Sequence, residues 1–236
     1  MSIGSYTYGV TFSPDGTTVY VGNKNTVSVI DAINNTVKAT VPMGNIADGV
    51  AISPDGTKVY VTNGENNTTS IIDTATKKVT DTVNVGFCPA GVAVTPDGTE
   101  VYVANSGSNN VSVINTATND VKITVPVGGG PQGVAVNPAG TKVYVTNSAS
   151  NNIYIIDTAT KTVTATVLVG SYPYGVATTP DGKMVYVTDI VSNNVYVIDT
   201  SKNTVIATVP LGHNSYDIKQ YIEKAAPILT KLVQVT

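Results

Sequence analysis

The stretch GVAVTPDGTEVYVAN, residues 91–105, decides the fold, because near copies of it recur along almost the whole chain. Each copy opens with Gly-Val, and these openings are separated by 40, 42, 42 and 42 residues. The five opening glycines are Gly9, Gly49, Gly91, Gly133 and Gly175. A fixed period of this length indicates a repeat protein, in which each unit buries its apolar face against its neighbours.

The unit that begins at Gly91 divides into four strands. We predict strand A at residues 91–94, strand B at 101–104, strand C at 111–115 and strand D at 121–125, from runs of alternating Val, Ile, Thr and Tyr. Between strands A and B, Pro96-Asp97-Gly98 carries the residues that a tight turn requires. Four antiparallel strands in about 42 residues are typical of a blade of a β-propeller, so we predict an all-β fold.

Three motifs of the repeat resemble those of a known protein family. VYVTN at residues 143–147, NIYIIDTAT at 152–160 and PDG at 180–182 resemble the YVTN family of β-propeller repeats, best known from archaeal surface-layer proteins and from secreted or periplasmic bacterial propellers. The resemblance covers residues 3–212 and implies a propeller domain at 1–212. It also implies an extracellular or cell-surface location. No signal peptide is recognisable at the start of the sequence. Residues 3–10 match residues 169–176, the end of one repeat and the start of the next, so we expect the chain to be a fragment or mature segment of a longer protein.

The number of blades leaves two alternatives open. The family usually forms seven blades, whereas this chain has five complete repeats, starting near residues 9, 49, 91, 133 and 175. The five could close as a narrow ring or remain an open arc that a partner chain completes. An engineered origin of so regular a repeat stays open as well.

The C-terminal segment 213–236 departs from the repeat. Its apolar residues recur at steps of 4, 3, 4 and 3, which is typical of one face of a helix. These residues are Ile218, Ile222, Ala225, Leu229 and Leu232. We predict a short helical tail, which either caps an exposed blade edge or serves as an assembly helix for a partner.

Composition excludes several classes of function. The formal net charge is −3 and all 13 basic residues are lysines, so nothing suggests a nucleic-acid-binding surface. No apolar stretch approaches 18 residues, and we therefore predict no transmembrane segment. Cys88 is the single cysteine, which excludes an intrachain disulfide.

Strand order assigns the connections to two faces. The B–C and D–A loops share one face, called here the loop face, and the A–B and C–D turns share the other, called the turn face. The turn-face aspartates are expected to bond their own turns rather than to bind calcium. They are Asp15, Asp31, Asp55, Asp73, Asp97, Asp157, Asp181 and Asp199. The same expectation covers the asparagine that ends strand B, and the asparagines of the B–C loops are expected to be solvated.

The loop face varies from copy to copy, and it is therefore the better place for a ligand site. Aromatic, amide and carboxylate side chains around a concavity suit a small polar ligand or a glycan, although the tyrosines could equally pack against neighbouring blades. The candidate ligand-binding residues are Tyr8, Asp48, Phe87, Gln132, Tyr172, Tyr174 and Tyr216.

Catalytic signals are poor. His213 is the only histidine, and no spacing typical of a metal site, a nucleophile elbow or a Cys-His pair is present, so no cofactor, metal or catalytic residue is predicted. Our first hypothesis is a non-catalytic structural or interaction module of the cell envelope, whose partners are other protein chains, through self-assembly or envelope proteins. The alternatives are a propeller that binds a glycan or small ligand and a lactonase- or lyase-like propeller enzyme.

Overall fold

The computed structural model describes residues 7–211, so the predicted tail at 213–236 and the candidate Tyr216 lie outside the described residues. Within 7–211 every regular element is a β-strand. The twenty strands are β1 (Val10–Phe12), β2 (Thr18–Gly22), β3 (Thr26–Asp31), β4 (Thr36–Pro42), β5 (Ala47–Ile52), β6 (Lys58–Asn63), β7 (Thr68–Asp73), β8 (Lys78–Asn84), β9 (Pro89–Val94), β10 (Glu100–Asn105), β11 (Asn110–Asn115), β12 (Asp120–Pro126), β13 (Pro131–Val136), β14 (Lys142–Asn147), β15 (Asn152–Asp157), β16 (Thr162–Leu168), β17 (Pro173–Thr178), β18 (Met184–Asp189), β19 (Asn194–Asp199) and β20 (Thr204–Pro210).

The strands form five antiparallel sheets of four strands each, in which sequence neighbours pair with each other. This is the blade architecture of a β-propeller and confirms the predicted fold class. Sheets 1 to 5 start at β1, β5, β9, β13 and β17, respectively. In sheet 3 the four predicted strands are present, and each extends one or two residues beyond its predicted bounds. The residues group into two compact units, one ending at Pro126 and one starting at Val127, which are described separately.

The core lies in the second and third strands of each sheet. In β10, Val101, Tyr102 and Val103 are fully buried, and Tyr144 and Tyr186 are buried at the equivalent positions of β14 and β18. Successive residues of a strand point to opposite sides of the sheet, so the burial of Val101, Tyr102 and Val103 shows that β10 is covered on both sides. The fourth strands are mostly exposed, and β4, β16 and β20 alternate exposed with half-buried residues, which is typical of a strand with one solvated side.

The A–B turn depends on local hydrogen bonds, as predicted. Asp97 Oδ1 accepts from the Thr95 hydroxyl (2.6 Å) and from the Thr99 backbone N–H (3.0 Å). Gly98 follows with a φ of 73°, a conformation that glycine adopts without a steric penalty. The hydrogen bonds to Thr95 and Thr99 lower the pKa of Asp97. The Asp97 carboxylate therefore stabilises the turn in which it lies.

A β-bulge interrupts the first strand of sheets 2 to 5. In sheet 2, Ala47 pairs with Asn63 and Val50 pairs with Val61, so both Asp48 and Gly49 lie opposite Thr62. The other three bulges have the same register. A bulge changes the direction of the side chain at its extra residue. The extra residue is Asp48, Ala90, Gln132 or Tyr174, so the repeats differ at the bulge.

The threonine opposite the bulge joins neighbouring sheets. The Thr62 hydroxyl accepts the Gly49 N–H (2.7 Å) and donates to the carbonyl of Ala90 on the next sheet (2.6 Å). In the second unit Thr146 bridges Gly133 and Tyr174 in the same way, at 2.8 and 2.7 Å. Both threonines are fully buried. The hydroxyl thus fixes the distance between the first strands of adjacent sheets.

Replacing Thr62 by valine is expected to lower the free energy of unfolding by about 1–3 kcal/mol, because the buried Gly49 N–H and Ala90 carbonyl lose their partner. Chemical denaturation would measure the change. The matched control is Thr69→Val on the paired position of β7, since the buried Thr69 hydroxyl has no hydrogen-bond partner among the described residues. That variant should be neutral or stabilising, and equal losses in the two variants would contradict the bridging role of Thr62.

Candidate functional site

Hydrogen bonds between loops confirm that the B–C and D–A loops share one face. Within each unit, the D–A loop lies between the B–C loops of the two sheets that it joins, as at residues 85–88 and 169–172. In the first unit, Ser106 N donates to Cys88 O and Gly107 N donates to Phe87 O, both at 3.0 Å. In the second unit, Ile190 N donates to Tyr172 O at 3.3 Å. The loop face is therefore a connected backbone network within each unit.

The D–A loop that carries Phe87 is held from both sides. Phe87 N donates to the Ser108 hydroxyl (2.6 Å), and Cys88 N donates to Asn67 Oδ1 (2.9 Å). Cys88 has a φ of 49°, a left-handed conformation that non-glycine residues rarely adopt. The Phe87 side chain nevertheless remains 65% exposed. The loop thus presents an aromatic ring to solvent on a fixed backbone.

The equivalent loop of the second unit has the same backbone, but there the aromatic residue is Tyr172, which takes the place of Cys88 rather than of Phe87. Tyr172 has a φ of 73°, its N–H donates to Asn151 Oδ1 (3.1 Å), and its side chain is 40% exposed. The expectation that the B–C asparagines are only solvated is therefore wrong for Asn67 and Asn151. Their side chains fix the backbone of the adjacent D–A loop.

The other candidate residues lie at the first strands. Asp48, Gln132 and Tyr174 are the first residues of the bulges in β5, β13 and β17, and all three are half-buried. Tyr8 lies two residues before the start of β1 and is 44% exposed. In each unit the candidates thus occupy two kinds of position, the exposed D–A loops with Phe87 or Tyr172 and the starts of the first strands.

Close packing of the first strands brings some of these candidates together. A Cβ on Gly9 would overlap the carbonyl oxygen of Asp48, and a Cβ on Gly49 would overlap that of Ala90. Tyr8, Asp48 and Ala90 therefore occupy equivalent positions on adjacent strands of the first unit. In the second unit, Gln132 and Tyr174 are neighbours for the same reason, since a Cβ on Gly133 would lie 2.5 Å from the Tyr174 carbonyl oxygen.

Asp48 differs electrostatically from the turn-face aspartates. Burial raises the pKa of the Asp48 carboxyl to about 6. Hydrogen bonds from their own turns lower the pKa of Asp15, Asp55 and Asp97. Within residues 7–211, the carboxylate of Asp48 has no hydrogen bond or ion pair to balance its charge. A carboxylate in this condition is typical of a ligand site.

The turn face has the local structure that the sequence predicts. Asp31, Asp73, Asp157 and Asp199 each accept backbone N–H groups of their own C–D turns. In the part of the chain that the structure describes, no group of three or more His, Cys, Asp or Glu residues could hold a metal ion. The strand-ending Asn105 is also used locally, since its Nδ2 donates to Asn110 Oδ1 and to the Ser112 hydroxyl.

Sequence reasoning missed the residues that position the candidates. Thr62 and Thr146 read as ordinary strand formers, and Asn67 and Asn151 as loop residues. The one available signal was that threonine precedes the strand-ending residue in three of five repeats, at positions 62, 146 and 188, but not at Gly22 or Ala104. No helix within 7–211 has the length and apolar character to cross a membrane.

Comparison with known proteins agrees with the fold. A model of seven-bladed β-propeller lactonases matches residues 10–125, and a model of YNCE-like β-propellers matches residues 93–180. No curated protein sequence matches the chain. One solved structure, the hydrazine synthase of Kuenenia stuttgartiensis, is similar with a TM-score of 0.69 and 21% identity, over 89% of this chain and 88% of that chain. At this identity the likeness shows the fold alone.

Proposed function

We propose that this protein is a non-catalytic interaction module, which binds another protein chain through its loop face. The observation that carries the proposal is the pair of exposed aromatic side chains, Phe87 and Tyr172, on D–A loops whose backbone is fixed by hydrogen bonds from Asn67 and Asn151. A fixed aromatic side chain loses little conformational freedom on binding, so most of its burial contributes to affinity.

Two further observations support binding rather than scaffolding alone. The left-handed backbone at Cys88 and Tyr172 is unfavourable for these residue types, whereas within residues 7–211 the left-handed non-glycine residues of the turn face are asparagines and lysines. Leu168 and Val191 add exposed apolar surface, at 75% and 62% exposed. Leu168 ends the strand that leads into the Tyr172 loop, and Val191 follows Ile190, whose N–H bonds Tyr172. Apolar side chains grouped in this way mark interaction sites.

The setting of the module is proposed from the resemblance of its repeats to surface-layer propellers. We infer a location outside the cell or on its surface, in cell-envelope assembly, adhesion or display. The first partner to consider is a second copy of the chain, because a surface layer consists of repeated contacts between like subunits.

The double variant Phe87→Ala, Tyr172→Ala is expected to weaken self-association at least about thirtyfold, since two aromatic residues at the centre of an interface each contribute about 1 kcal/mol or more. Sedimentation equilibrium of the full chain over a concentration series would measure it. The control is Ile33→Ala, which removes a side chain that is 73% exposed on the turn face. A monomer at every concentration, or an equal effect of the control, would contradict the proposal.

A second candidate is favoured by the lactonase match over residues 10–125, which includes Asp48. A half-buried carboxylate with a pKa near 6 has the properties of a general base in ester hydrolysis. Hydrolysis of a lactone by the full chain, lost in Asp48→Asn and retained in Asp55→Asn, would establish this activity in place of the non-catalytic role. A chain that hydrolyses no lactone would contradict this second proposal.

A further inference from the structure

We propose that Tyr8 and Asp48 form a binding site for an alkylammonium group on the loop face of the first unit. The proposal rests on the proposed function in one respect, because it names the chemistry that a partner would present to this face. The carboxylate would supply the countercharge, and the face of the tyrosine ring, which carries partial negative charge, would attract the cation.

The first argument concerns the charge of Asp48. Its side chain is half-buried at a β-bulge, and in the described part of the chain no lysine pairs with it. Removing a carboxylate from water without a partner is unfavourable, so a position of this kind is retained where a ligand provides the missing partner. Burial raises the pKa of Asp48, which is the expected consequence of the missing countercharge.

The second argument concerns the groups on either side. Tyr8 precedes Gly9, which packs so closely against the next strand that a Cβ on it would lie 2.8 Å from Val50 N. The ring of Tyr8 is 44% exposed and therefore accessible to a ligand. On the other side of Asp48 lies Ala90, whose side chain is only a methyl group. Ala90 therefore leaves space beside the Asp48 carboxylate. An aromatic ring, a carboxylate and a small residue in adjacent positions suit a single cationic headgroup.

The third argument concerns the other charged groups nearby. The first strands that flank Asp48, β1 and β9, contain no charged residue. On the loop face the B–C loop of sheet 1 carries Lys24, next to Asn23, whose carbonyl accepts the Ala47 N–H. Lys24 is exposed, and burial alone accounts for the raised pKa of Asp48. The chain as a whole has a formal charge of −3, which favours the approach of a cation.

The test is a titration of the full chain with a small cationic probe. Binding is measured from the change in the NMR chemical shifts of the Asp48 and Gly49 amides. The probe is Nα-acetyl-lysine methylamide, and its Nε-acetylated form is the neutral control of nearly equal shape. The cation is expected to bind at least about tenfold more tightly than the neutral form, as a charge-assisted hydrogen bond predicts. Equal affinity of the two probes would overturn the proposal.

Two variants assign the effect. Asp48→Asn should abolish the preference for the cation, whereas Asp55→Asn, in the A–B turn of the same sheet, should preserve it. Retained preference in Asp48→Asn would also overturn the proposal. Tyr8→Leu should lower the affinity for the cation about threefold to tenfold, because the ring contributes less to binding than the charge of Asp48 does.

A third comparison distinguishes the source of the ammonium group. A pentapeptide Gly-Gly-Lys-Gly-Gly that binds more tightly than n-butylammonium indicates a lysine of a protein partner, and equal binding indicates a free amine. Because these probes need no second copy of the chain, the outcome is independent of self-association. Cation binding by a chain that stays monomeric would support this inference and contradict the proposed function. Self-association of a chain that does not bind the cation would support the proposed function and contradict this inference.

Discussion

Alanine in place of Gly133 is expected to lower the free energy of unfolding by about 3 kcal/mol, a large part of the stability of an ordinary domain. The new Cβ would lie 2.5 Å from the Tyr174 carbonyl oxygen, 3.0 Å from Val176 Cγ1 and 3.1 Å from Thr146 Oγ1. The nearest atom belongs to backbone, so no side-chain rotation relieves the overlap. The first strands of sheets 4 and 5 would have to separate, which also lengthens the Thr146 bridge.

Gly64→Ala is the matched control for this effect. Gly64 lies in a B–C loop, and a Cβ there would meet only the Pro89 carbonyl oxygen at 3.6 Å, an ordinary van der Waals distance. We expect its stability to change by less than about 0.5 kcal/mol. Denaturant titration of both variants gives the comparison. Similar stability of Gly133→Ala and Gly64→Ala would contradict the view that close approach of the first strands explains the repeated Gly-Val.

The sequence was sufficient for features that depend on neighbouring residues in the chain. Pro96-Asp97-Gly98 contains both the hydrogen-bonding side chain and the glycine that its turn requires, and the turn forms as predicted. The division into a loop face and a turn face followed from strand order alone. The run Val101-Tyr102-Val103-Ala104 likewise predicted the second strand of its sheet, because a strand that is buried on both sides is apolar over consecutive residues.

The features that position the candidate site depend on register between strands. Whether one residue or two lie opposite Thr62 is decided by the pairing of β5 with β6, which the residue pattern does not specify. The same bulge sets the position of Asp48, and packing against the next sheet gives Thr62 its second partner. The sequence therefore identified Asp48 as variable among the repeats without showing that its carboxylate lacks a countercharge.

The substitution Asp48→Asn is expected to stabilise the protein at neutral pH by about 1–3 kcal/mol. Burial raises the pKa of Asp48 from 3.8 to about 6, so in this pH interval the unfolded chain has released a proton that the folded chain still holds. Stability therefore falls as the pH rises from 3.8 to about 6 and stays reduced above it. Because the amide of asparagine does not ionise, the stability of the variant does not fall in this pH interval.

Thermal or urea denaturation of the wild type and Asp48→Asn, at about pH 3 and about pH 8, measures the difference directly. The two proteins should be equally stable at the lower pH and differ at the higher one. Asp55→Asn gives the opposite sign, since hydrogen bonds from Ser53 and Thr57 lower the pKa of Asp55, and its contribution is present at neutral pH and lost in acid. A destabilised Asp48→Asn at about pH 8 would show that the carboxylate has a partner in the folded chain.

The stabilised variant and the proposed ammonium site are two consequences of one property. A carboxylate that lowers stability at neutral pH is expected where function requires it, because removing it would otherwise improve the fold. If Asp48→Asn is more stable and no longer distinguishes the lysine probe from its acetylated form, the unfavourable charge is explained by binding. If it is more stable and probe binding is unchanged, the charge at Asp48 destabilises the fold without serving this site, and the search for a ligand moves to the exposed rings of Phe87 and Tyr172.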